Sequence, residues 1–194
     1  MNLRERQKQI TREELAQTAM RLVLERGFDQ VRIADIATAA GVAERTFRNY
    51  FSSKEEAIVA VAIERASNAG QALRQRPTGE PLSAAIAEAV LEQYQAAAQP
   101  SSTGTLWRNR RQLIMSVPSL QAEYLRATQA MERTMAEAIA ERTGADLDRD
   151  LEPWVLAAAV SAAERRAVFF WLTRAVDRPL PDLLRQALAQ VLPA

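Results

Sequence analysis

Along this 194-residue chain the apolar side chains return every third or fourth position, and no stretch alternates apolar with polar as a half-buried strand would. Leu15, Ala19, Leu22 and Val23 form one such stripe, Ile33, Ile36 and Ala37 a second, and Ile86, Val90 and Tyr94 a third. A backbone with that period buries one face of each helix against its neighbours, so the chain is expected to be all-α. Glycine and proline divide the pattern into about nine helices. The first is expected to begin near Arg12, where Thr11 and Glu14 spell a capping box, and to stop at Gly27. Two short helices follow between Arg32 and Lys54. A fourth runs from Ser53, a good N-cap backed by Glu55 and Glu56, to about Arg74. Others are expected at about 82–98, 106–116, 118–142, 153–175 and 181–192, with Pro100 to Gly104 as a loop.

Composition removes whole classes of chemistry. The chain has no cysteine and no histidine, so disulfides, thiolate nucleophiles, zinc-finger ligands and histidine-based catalysis are unavailable. An enzyme built on this helical chain would be restricted to carboxylate, serine, tyrosine or lysine chemistry, and no carboxylates pair convincingly. No catalytic residue, cofactor or metal is therefore expected. No apolar run reaches the ~20 residues that span a bilayer, because the longest, Trp154 to Leu172, is interrupted by Glu164, Arg165 and Arg166. The amino terminus lacks the apolar core of a secretory signal, so a cytoplasmic protein without a membrane partner is expected. Net charge is only +1, but it is uneven. Residues 1–54 carry ten basic and seven acidic side chains, a net of +3 against −2 for the remainder. That is the sign a duplex-facing amino terminus needs, although modest.

The stretch RIADIATAAGVAERTFRNYFSSK, from Arg32 to Lys54, has the form of a helix-turn-helix. Gly41 stands where the chain reverses, a position that favours positive φ. Val42, Phe47 and Phe51 supply the apolar anchors of the second helix and its exit. Glu44, Arg45, Thr46, Arg48 and Asn49 are left pointing outward, a ridge of hydrogen-bonding groups suited to base edges and phosphates. Arg45 is the leading base reader, since a guanidinium can hold guanine O6 and N7 together. Glu44 would accept from a cytosine amino group or repel unsuitable sequences.

This string resembles the amino-terminal DNA-binding domain of the TetR family of bacterial transcriptional regulators. The resemblance covers roughly residues 10–60 and includes Gly27-Phe28, Asp35-Ile36-Ala37, Ala40-Gly41-Val42, Arg45-Thr46-Phe47 and the Tyr50 to Lys54 ending. It implies a TetR-like fold with a three-helix head, about nine helices in all, and a homodimer on a palindromic operator. It also implies that Thr46, Arg48, Asn49, Tyr50 and Lys54 hold the phosphate backbone. Two positions depart from the family pattern. Ala43 stands where Ser or Thr usually opens the reading helix, which forfeits an N-cap worth ~1 kcal/mol. Val31-Arg32 replaces the usual Ser or Thr before the second helix; Arg32 cannot cap but can reach a phosphate. Arg4, Arg6 and Lys8 are expected to lie on a frayed, solvated terminus.

The resemblance assigns residues 1–54 to DNA binding and 55–194 to effector binding and dimerisation. Trp107, Ile114, Met115, Tyr124, Met131 and Trp154 fall on helices that would surround the second core. Alanines opposite them, Ala158 among them, would leave room for a ligand cavity of ~300–1,000 Å³. The segment LWRNRRQLIMSVPSLQAEYL further resembles the ligand-binding half of a TetR subgroup that responds to acyl-CoA or fatty-acyl ligands. Arg110 and Arg111 would then meet an anionic headgroup. Arg165 and Arg166 sit within apolar helix, so at least one needs a carboxylate, a partner subunit or a ligand anion. Phe169, Phe170, Leu183, Leu184 and Leu188 offer more apolar surface than one core needs and are the expected dimer interface. The expected function is a ligand-released repressor, with a TetR-like activator or recruiter as the alternative.

Overall fold

In a computed structural model of the chain, residues 3–95, 102–174 and 178–192 are described, apart from the side chains of 64–67, 102 and 103. Nine α-helices lie among them: α1 (Leu3–Arg26), α2 (Ile33–Ala39), α3 (Glu44–Arg48), α4 (Lys54–Gln75), α5 (Leu82–Glu92), α6 (Ser102–Ser116), α7 (Pro118–Thr143), α8 (Glu152–Thr173) and α9 (Leu180–Leu188). A short 3₁₀ turn, Phe28–Gln30, follows α1. No strand occurs among the described residues. The all-α expectation is met, and so is the helix count.

The chain gathers into two compact units. One is Met1–Ala62 with Asn109–Tyr124; the other is Ile63–Arg108 with Leu125–Ala194. In the first unit the core is built by Leu15, Ala19, Met20, Leu22 and Val23 of α1, Val31, Ile36 and Ala37 around α2, and Phe47, Phe51, Ile58 and Val59 beyond it. Every one of these positions is at most 2% exposed. Gly41 closes α2 at φ +69°, where its N–H donates to the Thr38 carbonyl and the next amide, Val42, donates to Ala37. Any residue with a Cβ would be strained in that left-handed conformation, so the glycine fixes where α2 turns into α3.

In the second unit α8 and α9 pack most extensively, around Leu156, Val160, Ala167, Val168, Trp171, Leu180, Leu183, Leu184 and Leu188. Gly70 lets α4 approach α7 closely, since a Cβ there would lie 2.8 Å from the Thr134 carbonyl oxygen. Arg142 of α7 holds the α4–α5 turn, donating to the carbonyls of Arg76, Pro77 and Glu80. Arg74 forks onto Glu141 at 2.7 and 2.9 Å, and those hydrogen bonds hold the Glu141 carboxyl below its ordinary value.

Several boundaries differ from the sequence expectation. Helix α1 begins at Leu3, and the Thr11 hydroxyl donates to the Gln7 carbonyl one turn earlier instead of capping. The segment Leu3–Ile10 is made of good helix formers, so α1 continues through the supposed cap. Helix α5 ends at Glu92, and residues 96–101 lie outside the described part. Ser102 to Gly104, expected in a loop, already belong to α6. Helix α9 stops at Leu188, four residues early, although turns continue through Leu192.

Candidate nucleic-acid interface

Helix α3 has only five residues, too few to be stable without tertiary anchorage. Its anchor is Phe47, fully buried, with the Phe51 ring centroid 5.6 Å away. Burying Phe47 turns Glu44, Arg45, Arg48 and Asn49 outward, because positions i, i+1, i+4 and i+5 share a helical face. Ala43 precedes them in extended backbone with no side-chain cap, as the sequence implied.

These polar groups differ in availability. Arg48 lies 3.8 Å from Glu44 in an exposed ion pair, which is weak and easily exchanged for another anion. Arg45 makes no ion pair among the described residues and remains exposed. The backbone N–H of Arg32 donates to the Asp35 carboxylate at 2.8 Å, which supplies half of a capping box and leaves the guanidinium exposed. Thr46 and Tyr50 are half-buried and Asn49 is exposed; these three line an open cleft beside the first turns of α1.

Lys54 is used differently from the sequence expectation. Its ammonium donates to the carbonyls of Phe28 at 2.7 Å and Val31 at 2.9 Å, and sits 4.0 Å from the centroid of the Phe28 ring. Two of its three protons are therefore committed to tying the chain ahead of α2 onto the start of α4. Beside it Ser53 caps α4, accepting from the Glu56 amide at 3.1 Å, while the Glu56 carboxylate reaches back to the Ser52 amide and hydroxyl.

The residues expected to line an effector site divide between the units. Arg110, Arg111, Ile114, Met115 and Tyr124 belong to the first, where the Arg111 guanidinium lies 4.9 Å from the Tyr124 ring centroid. Trp107, Met131, Trp154, Ala158 and Arg165 belong to the second. Trp107 is buried, edge-on to Tyr94 at 5.7 Å and 5.9 Å from Trp171. Trp154 is half-buried and donates its indole N–H to the Leu147 carbonyl at 3.0 Å. Ala158 faces outward, so its expected place in a pocket is wrong: on α8 the inward positions are Leu156, Ala157 and Val160. Arg165 is half-buried, and Arg166 is exposed over the Phe169 ring.

The buried polar contact in this core was not anticipated. The Tyr94 hydroxyl donates to the Glu164 carboxylate, and both residues are under 9% exposed. Glu164 shares the inward face of α8 with Val160, Ala167, Val168 and Trp171, a periodicity that marks it as inward-facing. Its partner lies 70 positions away, and nothing local names it.

The dimer expectation needs correction at three residues. Leu183, Leu184 and Leu188 are at most 7% exposed within the single chain, since the apolar face of α9 is spent on α8. Phe169 and Phe170 remain 38% and 43% exposed, and Val155 56%.

Residues 15–61 match the family described as bacterial regulatory proteins, tetR family, and residues 80–194 match the MftR C-terminal domain. The HTH-type transcriptional regulator TcmR of Streptomyces glaucescens is 37% identical over 178 residues, covering 89% of this chain and 78% of that protein. Among solved structures, FadR from Thermus thermophilus, a TetR-family transcriptional repressor in complex with lauroyl-CoA, aligns over 93% of this chain and 92% of its own, with a TM-score of 0.61 and 20% identity. The fatty acid degradation regulator FadR from Bacillus halodurans gives 0.57 and 16% over 93% and 94%. Among the described residues no helix is long and apolar enough to cross a membrane.

Proposed function

The chain belongs to the TetR family of bacterial transcriptional regulators, and from that premise we propose that it is a ligand-responsive repressor of a palindromic operator. Residues 1–54 are the reading head and residues 55–194 the effector and dimerisation part. The observation that carries the reading is the outer face of α3, where Arg45 stands exposed without an ion pair beside Glu44, Arg48 and Asn49. Arg45 reads a guanine in the major groove. Arg32, Thr46, Arg48, Asn49 and Tyr50 hold phosphates on either side. The experiment selects a preferred duplex from a randomised pool and compares it with unrelated duplex for the wild type and Arg45→Ala. The variant is expected to lose ~1–3 kcal/mol on the selected site and to relax preference at one base pair. Unchanged affinity and preference would defeat the readout.

The effector is an amphipathic acyl thioester or related acyl ligand, with its chain among the aromatic and methionine side chains of α6 and α7 and its anionic head near Arg110 or Arg111. The FadR from Thermus thermophilus, which has this fold, is described with lauroyl-CoA, and the arginine-rich α6 segment supplies the cationic chemistry such a head requires. Lauroyl-CoA titrated into the complex with the selected duplex is expected to release the DNA. Retention of the complex at saturating ligand would remove this effector class. Release requires the ligand to prefer the conformation that does not bind DNA; equal affinity for both would shift nothing.

The homodimer forms on the outward stripe of α8, where Val155, Ala158, Ala162 and Phe169 follow helical spacing and remain exposed. Small residues there let two helices approach closely, and a two-fold pairing presents the same stripe from both copies.

A further inference from the structure

We propose that the first two turns of α1 form a DNA-contacting arm, in which Arg4 and Lys8 extend the α3 ridge along the phosphate backbone of the same duplex. The proposal rests on the DNA-binding reading above and adds a second element to the interface. Arg4, Glu5, Gln7 and Lys8 face Thr46, Asn49 and Tyr50 across an open cleft of about 710 Å³. Arg4, Gln7 and Lys8 stand at i, i+3 and i+4 on one face of α1, so the helix aims both cations into the same space.

This segment is not explained by packing. Leu3–Ile10 is exposed throughout, and the first fully buried residue of α1 is Leu15, about 18 Å further along the helix axis. Nor is it explained by helix energetics, because cations in the first turns oppose the helix dipole. Neither Arg4 nor Lys8 makes an ion pair among the described residues, so both retain their full capacity for an external anion.

The charges fit a polyanion that already touches the other wall of the cleft. The hydroxyl of Thr46 and the amide of Asn49 provide neutral donors, and both belong to the proposed phosphate-holding set. A duplex whose strand passes these two residues places its next phosphates toward α1. Such contacts carry no sequence information, so they strengthen binding to any duplex and steepen its salt dependence.

The test measures the affinity of the full chain for an unrelated duplex and for the selected site across a salt series. The Arg4→Ala/Lys8→Ala double variant is expected to bind both duplexes about tenfold to a hundredfold more weakly at 0.1 M salt. Its log–log salt slope should be shallower by about 1.8, with base preference unaltered. Arg4→Lys/Lys8→Arg, which keeps both charges, should restore the slope. The substituted residues are exposed, so folding is expected to be intact, and far-ultraviolet circular dichroism checks it. An unchanged slope in the alanine variant would overturn the arm alone. Failure of the wild type to bind any duplex at low salt would overturn the DNA-binding reading and the arm with it.

Discussion

Phe47→Ala is expected to abolish DNA binding by melting α3, at a cost of about 3–5 kcal/mol to the stability of the first unit. Phe47 is fully buried and lies against the Phe51 ring, so truncation removes a benzyl group from a site with no solvent to refill it. Five helical residues do not hold themselves together, and the outward direction of Arg45 exists only because Phe47 points inward. Against a total stability of ~5–15 kcal/mol, that loss unfolds a large fraction of molecules near physiological temperature. Denaturant titration by circular dichroism measures the stability, and fluorescence anisotropy on the selected duplex measures the binding. Phe47→Leu, which keeps most of the buried volume, should retain most of both. A Phe47→Ala protein within ~0.5 kcal/mol of wild type would mean that the outward ridge is held by something other than this anchor.

The reading face of α3 was legible from the chain because two local rules act there together. Helical spacing separates Phe47 from Glu44, Arg45 and Arg48, and a left-handed glycine marks the turn before them. The arm was hidden for the opposite reason. Residues 3–10 bury nothing, so apolar periodicity is silent about them, and the Thr11/Glu14 pattern suggested a helix start within what is a continuous helix. Periodicity also identifies a buried face without saying what buries it. Leu183, Leu184 and Leu188 were assigned to a partner subunit when the chain's own α8 covers them. On α8 the ambiguity is greater, since its sequence is apolar or alanine over much of its circumference. Ala157 and Ala158, adjacent and chemically identical, end up on opposite sides. The Tyr94–Glu164 contact depends on a tertiary pairing that no local rule supplies.

Lys54→Met is expected to destabilise the first unit by about 1.5–3 kcal/mol while leaving the DNA salt slope nearly unchanged. A lysine at the start of α4 beside a polar helix-turn-helix invites assignment to a phosphate, yet its ammonium is already shared between the carbonyls of Phe28 and Val31. Those carbonyls belong to the 3₁₀ turn and the residue before Arg32, so the lysine ties the entrance of α2 to the first turn of α4. Methionine keeps the apolar stem against the Phe28 ring but offers no donor, leaving both carbonyls to recruit water. If Lys54 served mainly as a phosphate clamp, the variant would instead keep its melting temperature, and its log–log salt slope would be shallower by about 0.9. The two readouts move in opposite patterns for the two roles. A fall in stability at constant slope makes Lys54 a positioning residue, one that sets the angle at which α3 is offered without touching the duplex itself.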